Sequence, residues 1–210
     1  PFSKRGQVWA LGEHRLMCGD SADSVDVSSL WGNKNPDLIV TDPPYGVAYA
    51  ESRNRPKYRS DRLPIENDAL GAEQKEWWQS VFSAWPVPGD WYVFTAPGPL
   101  SAEMAAALVA AGVSHRQWLI WSKDQFVLGG AHFHYRHENI FYGWRNKSTF
   151  NGQRDLDSVW DVPRSKDSKE HPTMKPVALC EQAITASSVE EMVVAEPFAG
   201  AGSTIIASEK

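Results

Sequence analysis

Asp42-Pro43-Pro44-Tyr45 follows directly on the apolar run Asp37-Leu38-Ile39-Val40-Thr41, and no other stretch of the chain bears so plainly on chemistry. An amino group on an aromatic ring donates two N–H bonds and has its lone pair delocalised into the ring. A carboxylate and a backbone carbonyl, side by side, accept both bonds. That pulls the nitrogen towards a pyramidal geometry and frees the lone pair to attack. Proline fixes φ and carries no N–H, so carbonyls in a Pro-Pro run are held rigidly without local competition. Tyr45 adds a flat face on which an extruded base can stack. An Asp-Pro turn that merely ends a strand is the plain alternative, since turns favour both residues. A given tetrapeptide, however, arises by chance in roughly one chain of this length in a thousand.

Phe198-Ala199-Gly200-Ala201-Gly202-Ser203-Thr204 is the second constellation. Its glycines let a ligand approach the backbone, and a helix starting near Ser203 presents an N-terminus that receives a negative group. A dinucleotide fingerprint needs a third glycine where Ile205 stands, and a P-loop needs a Gly-Lys-Ser/Thr run, which is absent here. His171-Pro172-Thr173-Met174-Lys175-Pro176 reads as a helix entry, with Pro176 in the first turn and Lys175 available to a carboxylate. Gly19-Asp20 ends a short strand. Each of these three, taken alone, is equally readable as an ordinary turn. Arg53, Arg55, Lys57, Arg59 and Arg62 crowd the polar stretch 46–68 against Glu51 and Asp61. They are candidate phosphate contacts, with a solvated surface loop as the alternative. His132, His134 and His137 lack a fourth ligand or a partner cysteine, so no metal is expected.

Such groups need a sheet to hold them. Strands are expected at Arg15–Cys18, Asp37–Thr41, Trp91–Thr95, Gln117–Trp121, Asn139–Tyr142 and Met192–Ala195. Helices are expected at Glu73–Trp85, Ser101–Ala111 and Met174–Ser187, and from Ser203 onward. This alternation predicts an α/β sheet. With 210 residues, 42% of them hydrophobic, the chain has the size and the core material of one domain. Its net charge of -5 argues mildly against a nucleic-acid partner, yet phosphate contacts need only a local basic patch. No apolar run approaches the ~18 residues that span a membrane. Cys18 and Cys180 form no framework, and a cytoplasmic protein is the expectation.

Together these motifs resemble the DNA amino-methyltransferases that act on adenine N6 or cytosine N4, specifically their permuted β group. In that group the catalytic motif precedes the cofactor motif, with the target-recognition region between them. Thr41 to Tyr45 is similar to the catalytic motif, with Asp42, Pro43, Pro44 and Tyr45 as catalytic residues. Trp121-Ser122-Lys123 and His137-Glu138-Asn139-Ile140 resemble the segment that helps form the target-base pocket. Asp20 resembles the acidic residue near the cofactor adenine. His171, Thr173, Lys175 and Pro176 resemble the helix entry lining the cofactor site. Glu196, Phe198, Gly200, Gly202, Ser203 and Thr204 resemble the cofactor loop, with Glu196 where the family usually has Asp.

The resemblance implies a Rossmann-like, doubly wound sheet, circularly permuted, over residues 1–210. It implies a short target-recognition insert at 145–170, S-adenosylmethionine as cofactor and double-stranded DNA as partner, with Arg53, Arg55, Lys57 and Arg59 on the DNA. Asp at the first catalytic position is usual for adenine-N6 enzymes and Ser for cytosine-N4 enzymes. The alternatives are a cytosine-N4 or RNA enzyme and an inactive cofactor- or DNA-binding remnant. The family's acidic contact to the cofactor ribose lies on a strand beyond Lys210, so a C-terminally truncated domain is expected. Homodimer formation, a restriction–modification role and a phage origin are further expectations that no single motif carries.

Overall fold

The computed structural model describes residues 3–46, 67, 70–126, 128, 132–152, 155–164 and 174–210. Its main sheet has six strands: β3 (Leu38–Thr41), β4 (Gly89–Thr95), β5 (Ser114–Ser122), β6 (His137–Arg145), β7 (Val159–Asp161) and β8 (Val194–Ala195). Their order is β7-β5-β6-β4-β3-β8. β3 runs parallel to β4 and β8, β6 runs antiparallel to β4 and β5, and β7 runs parallel to β5.

Both faces of this sheet are covered, which is why β3 and β4 read as continuous apolar runs. Ile39 pairs with Trp91, and both point into a core made with Val27, Trp78, Phe82, Met104 and Leu108. Val40 pairs with Tyr92, and both point into an opposite core with Leu179, Cys180, Ala183 and Ala207. The first core lies under α1 (Ser24–Trp31), α2 (Gln74–Ala84) and α3 (Pro99–Ala110). The second lies under α4 (Val177–Ser187) and α5 (Ser203–Ser208). The alternation of side chains along two parallel strands thus gives three layers, as a doubly wound fold requires.

Local chemistry sets the element ends. α1 starts at Asp23, whose carboxylate accepts a bond from the Val25 N–H at 2.9 Å. β4 starts at Gly89, with φ +89, because a Cβ there would lie 2.2 Å from the Asp37 carbonyl.

Several sequence expectations change. The expected strand Arg15–Cys18 is β2 (His14–Met17), which pairs with β1 (Val8–Leu11) in a separate hairpin outside the main sheet. α1 and β7 were not foreseen, and β7 lies inside the 145–170 stretch as the sheet's edge strand. The helix expected from Met174 begins at Val177. Pro176 has ψ 135 and stands outside it, rather than within its first turn. Proline disfavours helical backbone in the residue before it, so Lys175 belongs to the approach and not to the helix.

Candidate active site

β3 delivers Asp42 at its carboxyl end, beside the parallel neighbours β4 and β8. Ligands bind outside the carboxyl ends of such strands. Trp78, on α2, donates from Nε1 to the Pro44 carbonyl at 2.9 Å and so braces the proline pair. The Tyr45 hydroxyl turns back and donates to Asp42 Oδ1 at 2.7 Å.

Lys175 enters from the loop before α4. Its Nζ lies 2.6 Å from Asp42 Oδ2 and 3.1 Å from the Tyr45 hydroxyl. The same ammonium lies 3.2 Å from Glu138 Oε2, and the other Glu138 oxygen receives Lys123 Nζ at 2.6 Å. Register explains this second pair. Glu138, the second residue of β6, lies opposite Trp121, so Lys123, just past the end of β5, is its neighbour. Lys123 and Lys175 are only 7% and 8% exposed, which forces each to keep an anionic partner.

The charges follow their surroundings. Burial pushes the Asp42 carboxyl above its ordinary range, and Lys175 offsets that only in part. Burial also acts on Glu138, but Lys175 and Lys123 outweigh it and hold this carboxyl below its ordinary range. Burial alone would lower Lys175, yet Asp42 and Glu138 raise it, so it stays an ammonium. Burial and the two carboxylates keep Tyr45 a neutral phenol. Lys123 and Glu138 belong to segments noted in the sequence, but their charges were not recognised as part of the site. Only the strand register brings them to it.

A cavity of about 390 Å³ lies beside β8, a volume in the range of small-molecule sites. Asp20, Glu196 and Thr204 line it, together with Trp31, Trp85 and the β8 backbone. Trp31 Nε1 is buried without an acceptor among the described residues. The cavity lining mixes apolar side chains with charged ones, Glu13, Arg15, Asp20 and Lys34 among them.

Glu196 ties the cavity to the catalytic strand. It accepts from the Thr41 hydroxyl, from the Phe198 N–H at 2.9 Å and from the Thr204 hydroxyl at 2.9 Å. Burial pushes its carboxyl up to about 8, against the lowering effect of those bonds. Ser203 donates to the Lys175 carbonyl at 2.7 Å, joining the start of α5 to the lysine loop. Gly202 takes φ +81 to open that helix.

The sequence-derived sites therefore separate. Asp42, Pro43, Pro44, Tyr45 and Lys175 gather at the end of β3, while Asp20, Glu196 and Thr204 face the cavity. Phe198, Gly200, Gly202 and Ser203 shape the loop between, with Phe198 against Trp77 at 5.7 Å. Lys175 points at Asp42, and Pro176 caps α4, so neither is among the residues lining the cavity. His171, Thr173, Arg53, Arg55, Lys57 and Arg59 lie outside the described residues.

Sheet order and site position define an α/β domain of the S-adenosylmethionine-dependent methyltransferase fold. M1.HpyAVI, solved as a complex with SAM, shares this fold with a TM-score of 0.61 at 20% identity, over 90% of this chain and 84% of that one. The N6_N4_Mtase family, described as DNA methylase, matches residues 36–210, and the chain belongs to it. Type II methyltransferase M.HpaI of Haemophilus parainfluenzae is 27% identical over 90% of this chain, which spans 65% of that protein's length. DNA adenine methyltransferase YhdJ of Escherichia coli is 41% identical over 26% of this chain and 20% of its own length.

Proposed function

We propose that this chain is the catalytic domain of a DNA methyltransferase that modifies the exocyclic amino group of adenine at N6. One observation carries the reading: Asp42 and the Pro43 carbonyl stand at the end of β3, next to a strand whose loop borders a ligand-sized cavity. S-adenosylmethionine, when bound, supplies a methyl group made electrophilic by a sulfonium. Asp20, Glu196 and Thr204 would hold it.

The chain's own groups do the rest. Asp42 and the Pro43 carbonyl accept the two amino N–H bonds and localise the nitrogen lone pair. The Tyr45 ring supports the extruded base, and most of the rate comes from alignment. The amino proton becomes acidic only as the nitrogen gains its bond to carbon, so Asp42 need not be a strong base. Asp at the first catalytic position and the likeness to an enzyme named as an adenine methyltransferase support adenine over cytosine.

The catalytic strand β3 precedes its parallel neighbour β8 in the chain, which supports the permuted arrangement. Arg53, Arg55, Lys57 and Arg59 are assigned to the DNA backbone, and the 145–170 stretch to target recognition. Relatives named type II methyltransferases support a modification role beside an endonuclease.

Modified-base sequencing of DNA from cells expressing the gene tests the reading. N6-methyladenine in one short sequence context is expected, and none with Asp42→Ala. N4-methylcytosine would move the target base, and no modified base at all would reject the function.

A further inference from the structure

Both oxygens of Asp42 are already engaged, Oδ1 by the Tyr45 hydroxyl and Oδ2 by Lys175 Nζ at 2.6 Å. Each oxygen keeps a second lone pair, but one that already accepts from an ammonium at 2.6 Å is a weak acceptor, so strong donation from an amino group to Asp42 favours displacing Lys175. Lys175 cannot carry its charge into water from a position only 8% exposed, and a buried ammonium left without a counterion is costly. A second carboxylate oxygen stands 3.2 Å from it, on Glu138. That carboxylate is itself pinned by Lys123 at 2.6 Å, so it keeps its charge and its place.

We propose that Glu138 is a positioning residue that takes over Lys175 when a base amino group arrives at Asp42. The inference rests on the proposed amino-methyltransferase function. Nothing covalent changes in this step. Asp42 Oδ2 gives up an N–H bond from Lys175 and gains one from the substrate, and the ammonium moves towards Glu138 Oε2.

The charge balance points the same way. Asp42 and Glu138 offset Lys123 and Lys175, so the cluster is neutral. Without Glu138 it would carry an uncompensated positive charge beside a nitrogen that becomes cationic as it is methylated. Loss of Glu138 should therefore slow turnover rather than weaken binding.

The test measures transfer of tritiated methyl from S-adenosylmethionine to unmethylated bacterial genomic DNA. Glu138→Gln is expected to lower kcat about 100-fold. The KM for DNA and the calorimetric Kd for S-adenosylmethionine should stay within about twofold. Glu138→Asp, which keeps the charge, is expected to recover about tenfold of the loss. Lys123→Met combined with Glu138→Gln restores neutrality but offers Lys175 no second seat, so it should stay as slow as Glu138→Gln.

A double variant near wild-type rate would overturn the proposal in favour of charge balance alone. A Glu138→Gln enzyme within about threefold of wild type would overturn it outright. If Glu138→Gln does not fold, Glu138→Asp alone decides: reduced kcat at unchanged KM supports the exchange, and wild-type kcat rejects it. A wild-type protein without turnover refutes the function instead. The exchange is then read from the Lys175 ammonium signal by NMR. Adenosine should shift that signal in wild type, and an unmoved signal rejects the exchange.

Discussion

Two carboxylates at opposite ends of the sheet, Asp90 fully buried and Asp42 half-buried, are satisfied in opposite ways. Asp90 opens β4, at the end remote from Asp42, and accepts from Ser187 Oγ at 2.5 Å, the Tyr142 hydroxyl at 3.1 Å and the Thr149 N–H at 3.3 Å. Tyr92 bonds to the same Ser187 hydroxyl at 2.7 Å. These neutral donors are fixed on β4, β6, the end of α4 and the loop after β6. Among the described residues no lysine or arginine pairs with Asp90. Asp42, by contrast, depends on a phenol and on an ammonium shared with a second acid. A carboxylate held by short donors from several elements fastens them together. A carboxylate held by a shared ammonium has a partner that can be exchanged. The first arrangement serves stability, and the second leaves an acceptor available for a substrate.

The sharpest way to break this comparison is to neutralise Asp42. Asp42→Asn is expected to cut turnover at least about 1,000-fold, since the anionic acceptor for the amino group becomes a neutral amide with only one acceptor oxygen. Stability should move little, because two effects oppose each other. Because burial raises the folded-state pKa of Asp42, its contribution to stability is complete below the ordinary carboxylate range and is lost as pH rises through the raised value. A neutral isostere escapes that loss but withdraws one of the two anions beside Lys175, leaving Glu138 alone to pair with it, so the variant should melt within a few degrees of wild type at pH 8. A clear fall in Tm would make Asp42 a structural acid like Asp90.

The second prediction inverts the first. Asp90→Ala leaves the Ser187 and Tyr142 hydroxyls and the Thr149 N–H without their acceptor in a closed interior. A loss of about 3 kcal/mol is expected, roughly 10 °C in Tm, with kcat of the folded enzyme unchanged. A kcat change at an intact Tm would mean that the two ends of the sheet are coupled.

The sequence made one half of this contrast visible. Asp42-Pro43-Pro44-Tyr45 is contiguous, so its chemistry could be read without a fold. The buried strands β3 and β4 were legible because both faces are covered and the runs are continuously apolar. Lys175 stands 133 positions from Asp42; it was read as available to a carboxylate but placed, by the resemblance, at the cofactor, and Glu138 and Lys123 were not recognised as charges of the site. No residue spacing reports that β5 and β6 bring Glu138 and Lys123 side by side; only the antiparallel register does. The missed elements are those with little burial. β1 is exposed throughout, α1 buries only Val27, and β7 buries only Trp160. Hydrophobic periodicity cannot report an element that buries almost nothing. The start of α4 was misread because a proline fits a first turn, while the lysine before it is held extended by that same proline.

Glu196 falls between the two cases, and its titration sharpens the comparison. Like Asp90 it is bound by neutral donors, namely the Thr41 and Thr204 hydroxyls and the Phe198 N–H. Like Asp42 it sits at the carboxyl end of the sheet, and burial raises its pKa, here from 4.5 to about 8. A raised acid contributes stability that is complete below pH 4.5 and is lost as pH climbs to about 8, where the folded protein ionises too. Glutamine is isosteric and never ionises. Its oxygen can take the Phe198 N–H, and its amide can donate to either threonine hydroxyl. Glu196→Gln should therefore match wild type near pH 4.5 and gain on it up to about pH 8, with the difference then constant. The shift sets a ceiling of about 5 kcal/mol, and a gain of a few kcal/mol, roughly 5–10 °C in Tm, is the expected scale. Melting curves at half-unit pH intervals measure it. A difference that does not change with pH would mean that Glu196 is already ionised in the folded protein. It would then hold the cofactor loop as a charge, on the pattern of Asp42, and not as the neutral hydrogen-bonded acid that its surroundings imply.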